Sequence, residues 1–109
     1  MNALEYHVLL ALSSGPLHGY AVKDAIAADS GGSETPRAGT LYRVVARLIT
    51  AGLVRETEPA DGRTPHPGLE RRYYALTSGG RRVLASETER LKATTAIAQK
   101  RLNALRPRP

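Results

Sequence analysis

The chain has no cysteine, no tryptophan and no phenylalanine, and only one methionine. Without thiols there can be no disulfide bridge, no cysteine-based zinc site and no thiol redox sensor. Without the larger aromatics, only five tyrosines remain to stack against a flat ligand. The three histidines stand far apart at 7, 18 and 66, and His18 has no second histidine or carboxylate three or four residues on. His18 therefore reads as a structural residue beside a turn rather than a metal ligand. No nucleophile triad, paired carboxylates or phosphate-binding loop stands out, so nothing points to an enzyme or to a cofactor. No apolar run approaches the roughly 20 residues that span a bilayer. Met1 to Leu12 carries Glu5 and His7 without a basic start or a cleavage motif, and does not read as a secretory signal. A soluble, cytoplasmic protein is expected.

What the chain does have is arginine. Lys and Arg number 16 against 10 Asp and Glu, a formal net charge of +6, and all but three of those cations are Arg. Arginine suits bidentate contact with phosphate and guanine better than lysine does, so the excess points to a polyanionic partner. At 109 residues the chain has enough length for one modest core and an extension.

Helical periodicity runs through Ala3–Ser13 and stops at Ser14-Gly15-Pro16. It resumes over His18–Ala28, where Tyr20, Val22, Ala25 and Ile26 supply apolar contacts, and breaks again at Asp29–Ser33. Thr35-Pro36 looks like an N-cap with proline at the first helical position, which opens a third helix that Gly52 ends. The period then becomes alternating. Leu53–Glu58 and Arg71–Leu76 are strand candidates, joined by Pro59–Glu70 with its three prolines and two glycines. Thr77 caps a last helix running to about Leu105, and Arg106–Pro109 is a frayed tail. The expected fold is mainly α with a small β-hairpin: a winged helix-turn-helix over 1–76 and a C-terminal dimerisation helix over 77–105.

The third helix carries two unlike faces. Leu41, Val44, Val45, Leu48 and Ile49 recur at i, i+3, i+4, i+7 and i+8, one apolar stripe. Opposite stand Thr40, Arg43, Arg47 and Thr50, with no acidic residue on the helix. A helix anchored on one side and offering arginines and hydroxyls on the other suits a DNA major groove. Arg43 and Arg47 can each fork onto a guanine or clamp a phosphate, Thr40 can reach a base edge, and Gly39 lets the backbone approach. Arg37 precedes them as a further cation. Tyr42, at the border of the two faces, and Tyr20 each admit a phosphate contact or simple packing. In the wing, Arg63 and His66 flank a loop able to lie along the DNA. Alternation puts Arg71 and Arg72 on opposite faces, so one (Arg72 in the contact set) meets DNA while the other pairs with Glu56 or Glu58.

Along the last helix, Leu84, Thr88, Leu91, Thr95, Ala98, Leu102 and Leu105 repeat at alternating spacings of four and three. A heptad-like seam needs a partner. The expected partner is a second copy, with Leu9 and Leu12 of its first helix contributing to the contact.

Several short fragments in order carry a family likeness. They are Leu17-His18-Gly19-Tyr20, Gly39-Thr40-Leu41-Tyr42, Arg47-Leu48 with Ala51-Gly52-Leu53-Val54, and Arg72-Tyr73-Tyr74-Ala75-Leu76-Thr77 leading to Gly80. The chain resembles a PadR-family transcriptional regulator of the smaller branch, with a single C-terminal helix. Arg43 departs from relatives, in which proline is common there, and puts an extra cation near the groove. The resemblance implies a homodimeric repressor bound to a roughly palindromic operator, often near its own gene, with an unnamed small effector as release signal. A protein-binding winged-helix module is the alternative; it should show an apolar or mixed-charge face where Arg43, Arg47 and Arg63 stand.

Overall fold

The computed structural model describes residues 1–58 and 72–107. The elements are α1 (Ala3–Leu12), β1 (Leu17–His18), α2 (Gly19–Asp29), α3 (Ala38–Thr50), β2 (Val54–Thr57), β3 (Tyr73–Leu76) and α4 (Ser78–Ala104). The strands form an antiparallel sheet in the order β1-β3-β2. The expected hairpin therefore gains a third strand. Leu17 and His18 pair with Tyr74 and Tyr73, and α2 begins only after them, at Gly19.

Each helix begins where local chemistry provides an acceptor for its first N–H groups. In α1 the Asn2 side chain accepts from Glu5 N at 2.8 Å while Glu5 Oε1 accepts from Asn2 N at 2.8 Å, a reciprocal capping box. In α2 the cap is His18, whose Nδ1 accepts from Ala21 N at 3.3 Å. In α4 it is Thr77, whose Oγ1 accepts from Gly80 N at 2.9 Å. Only α3 starts without a side-chain cap. Its start at Ala38 falls two residues past the Thr35-Pro36 signal. Ser30 Oγ accepts from Glu34 N at 2.9 Å and Pro36 is buried, so the chain stays pinned as a loop until Arg37.

α3 ends as expected, at Gly52. With φ of +78°, Gly52 adopts the left-handed conformation, and Gly52 N and Leu53 N donate to Ile49 O and Leu48 O, each at 2.9 Å. This turn delivers Leu53 to the start of α4. Thr77 N donates to Leu53 O at 3.1 Å, Thr77 Oγ1 to Gly52 O at 2.6 Å, and the backbone of Gly80 lies directly against Leu53 O.

The core gathers Val8, Leu9 and Leu12 of α1, Val22 and Ile26 of α2, Leu41, Val44, Val45 and Leu48 of α3, Val54 of β2 and Tyr74 of β3. Burying each of these aliphatic side chains contributes about 1.5–3 kcal/mol against ordering the chain. The α3 stripe is buried as its period required, with Ile49 packed at the margin. Tyr20, open in sequence to packing or to a phosphate contact, is exposed. Leu9 is 0% and Leu12 3% exposed within one chain, where both belong to its own core. An apolar helix face looks the same in sequence whether its own core or another subunit covers it.

Candidate nucleic-acid interface

With its apolar side locked into the core, α3 presents the other side outward. Arg37, Gly39, Arg43 and Arg47 are exposed and Thr40 is half-buried. Arg43 bends back over the first turn, its Nη2 3.4 Å from Thr40 Oγ1, so the two polar groups lie together. No acidic residue occupies the first turn and no side chain caps it. Among the described residues, the first N–H groups at the positive end of the helix dipole have no side-chain acceptor. Nothing lies within 4 Å of where a Cβ on Gly39 would stand, so no packing demand explains glycine there.

Arg47 differs. Its Nη2 is 4.0 Å from Glu5 Oε2, the carboxylate that also closes the α1 capping box. Arg47 is largely exposed and Glu5 half-buried, and at 4.0 Å the pair is weak, but it draws Arg47 toward α1 and sets one acid beside a helix that has none of its own. Glu5 is a residue that sequence reasoning missed; its capping-box spacing was visible, its position beside α3 was not.

Tyr42 resolves toward packing. A Cβ on Gly19 would come within 3.1 Å of the Tyr42 hydroxyl oxygen, so the ring lies against the start of α2, and glycine makes room for it. Tyr42 also lines a cavity of about 270 Å³ with Val45, Ala46, Ile49, Glu56, Arg72 and Tyr74. Tyr20 projects from the start of α2, 48% exposed, its ring edge-on to His18 at 6.4 Å, and His18 is edge-on to Tyr73 at 5.6 Å. His18 is thus structural, as cap and as ring contact. A row of rings ties the entry of α2 to the return strand of the wing.

In the wing, Arg72 Nη1 lies 3.6 Å from Glu56 Oε1. Glu56 pairs with Tyr74 in the register, which places Arg72 diagonally from it on the same face. Arg72 is therefore the arginine that meets a cross-strand glutamate. Arg63, His66 and Arg71 lie outside the described residues, as do Arg108 and Pro109.

Along α4, the expected seam divides. Leu84 and Leu91 are half-buried. Tyr6 OH donates to Thr88 Oγ1 at 2.7 Å, since the Thr88 hydroxyl already donates to Leu84 O at 2.7 Å. This half packs against its own α1. Thr95, Ala98, Leu102 and Leu105 are exposed, Leu105 by 76%, on a helix that carries the molecule to a length of 63 Å. Among the described residues, no helix is long and apolar enough to cross a membrane.

Residues 8–86 match the transcriptional regulator PadR-like family. The chain belongs to that family. It is 40% identical over 86 residues to an uncharacterised 37.1 kDa protein in a transposon of Streptomyces fradiae, covering 79% of this chain and 22% of that protein. The PadR-like chain thus spans about a fifth of the length of that relative. Its fold is that of a PadR family transcription regulator from Clostridium difficile, with a TM-score of 0.74, 19% identity and coverage of 93% and 99% of the two chains. It also resembles Bacillus subtilis PadR in complex with operator DNA, with a TM-score of 0.63, 20% identity and coverage of 99% and 50%.

Proposed function

We propose that this PadR-like chain is a sequence-specific DNA-binding regulator acting as a homodimer, with α3 entering the major groove. The observation that carries this reading is the first turn of α3. Its N–H groups have no side-chain cap, no carboxylate stands in that turn, and Arg37 and Arg43 flank it with Thr40 beside them. That combination attracts a phosphate and leaves Arg43 able to reach a guanine edge. The solved operator complex of Bacillus subtilis PadR lends the reading support. Arg43 reads bases, Arg37 and the helix end hold the backbone, and Arg47 is a weaker contributor because Glu5 competes for it. Tyr42 positions α3 against α2 rather than touching DNA.

The second copy is held by the distal half of α4. The Thr95 hydroxyl is satisfied by Leu91 O at 2.9 Å, which leaves its methyl to face outward in line with Ala98, Leu102 and Leu105. This half-seam has no intramolecular cover, and a matching half-seam would close it. In this reading the dimer represses transcription, and a small effector releases it.

A test is selection of bound sequences from random duplexes, followed by footprinting. An inverted repeat with half-site centres about 10 bp apart, or a multiple of that, is expected. Inserting about 5 bp between the halves should drop affinity toward the non-specific level, because the second groove then faces the far side of the duplex. Recovery of no preferred sequence would overturn the DNA reading, and indifference to the insertion would overturn the dimer.

A further inference from the structure

The sheet has two unlike sides. Glu56, Arg72 and Tyr74 share their cavity with α3, as described above. Arg55, opposite Ala75 in the β2–β3 register, lines a separate cavity of about 290 Å³ with Ala75, Leu76, the turn from Leu12 to Pro16, and Arg81 of α4. No α3 residue and no carboxylate is among the described residues lining it.

Several described arginines lack a carboxylate partner; what distinguishes Arg55 and Arg81 is that both line the same hollow. Arg47, Arg72 and Arg90 each have a carboxylate beside them. Among the described residues Arg55 and Arg81 have no such partner, although they come from different elements to one hollow. The Ser13 hydroxyl is committed to Leu10 O at 2.6 Å, whereas the Ser14 hydroxyl, in the same wall, has no protein partner among the described residues. Two arginines lining one concave space put like charges near each other, and an anion between them would reverse that repulsion; a hollow also concentrates the field. A guanidinium fork fits a carboxylate or phosphoryl group in two-point contact. Leu12, Pro16 and Leu76 add apolar patches to a wall that Ser13 and Ser14 otherwise make polar, and these patches suit a short carbon body behind the charge.

We propose that this cavity binds a small organic anion, its carboxylate or phosphoryl group held between Arg55 and Arg81 and its carbon body against Leu12, Pro16 and Leu76. The site is independent of DNA recognition by α3, since the sheet separates the two. It does border the contact of Leu53 with Gly80, so an occupant bridges β2 and the first turn of α4.

The experiment titrates the full chain with inorganic phosphate, succinate, neutral succinamide and chloride at matched ionic strength. Melting temperature and the amide spectra of Ser14 and Gly15 are followed. Saturable shifts are expected with phosphate or succinate and not with succinamide or chloride. Response to phosphate alone identifies a phosphorylated ligand, and response to succinate alone a carboxylate. Arg55→Gln and Arg81→Gln should each weaken binding roughly tenfold or more, as loss of a charge-assisted two-point contact does. Arg106→Gln, outside the cavity, should bind as the parent does. The proposal falls if neither anion saturates, or if all three variants respond alike, which marks a general ionic effect. It also falls if Arg55→Gln and Arg81→Gln lose DNA affinity together without added anion, because the cavity then belongs to the DNA surface.

Discussion

A methyl group at position 80 would overlap the carbonyl oxygen of Leu53 and crowd Leu76 Cδ2 at 3.1 Å. Backbone stands on one side and core on the other, so neither neighbour can give way cheaply. Gly80→Ala should therefore lose about 1–3 kcal/mol or more in urea unfolding, as overpacked sites do. Gly79→Ala next door would meet Gly52 O at 3.4 Å, an ordinary contact, and should be close to neutral. Equal effects at both positions would show that helix propensity, not the approach to Leu53, governs this turn. Glu5 offers a second single-residue test. Glu5→Gln keeps a capping-box partner for Asn2 and removes the charge facing Arg47. Stability should change by no more than about 1 kcal/mol, because the two groups stand 4.0 Å apart and Arg47 is largely exposed. DNA affinity should rise and its salt dependence steepen by up to about one phosphate equivalent. Fluorescence anisotropy at several salt concentrations measures both, and an unchanged slope would mean that Arg47 does not reach the backbone.

α3 was the element most legible from its residues, because a 3.6-residue period forces the apolar and basic sets onto opposite sides. Its functional consequence is a separation of roles along the helix. Arg43→Ala should cost about 1–3 kcal/mol on the preferred sequence and relax selection at one base pair per half-site. Arg37→Ala should weaken all sequences alike. Competition assays against single-base operator variants distinguish the two, and reversed outcomes would exchange the assignments. The element starts two residues past its strongest local signal for a physical reason: Thr35-Pro36 resembles a helix entry, but the Ser30–Glu34 hydrogen bond and the burial of Pro36 hold that stretch as a loop. β1 was invisible because two residues have no period. It exists only where the chain passes β3, a tertiary event that Leu17 and His18 do not encode alone. The same limit explains Glu5: its partner Arg47 is distant in sequence, and only the packing of α1 on α3 brings them together.

For the whole molecule, the division of α4 makes association and folding separable. Leu102→Asp with Leu105→Asp alters exposed side chains and should leave the monomer fold intact while sedimentation at micromolar concentration shifts from dimer to monomer mass. Leu9→Ala removes a fully buried side chain and should cost about 2–5 kcal/mol of stability, with the folded fraction still dimeric. A wild-type chain that sediments as a monomer yet binds an inverted repeat tightly would overturn the proposed assembly. The joint at Leu53 and Gly80 bears on this assembly through leverage. From that point α4 extends about 40 Å at 1.5 Å per residue, so a rotation of roughly 5° at the joint sweeps its tip by roughly 3.5 Å. The same rotation, seen from paired tips, displaces each α3 by a like amount relative to its groove. In the proposed dimer a looser contact there would let several half-site spacings be accepted; a glycine seated against a carbonyl oxygen would narrow the choice, so that position 80 would calibrate the ruler that measures the operator.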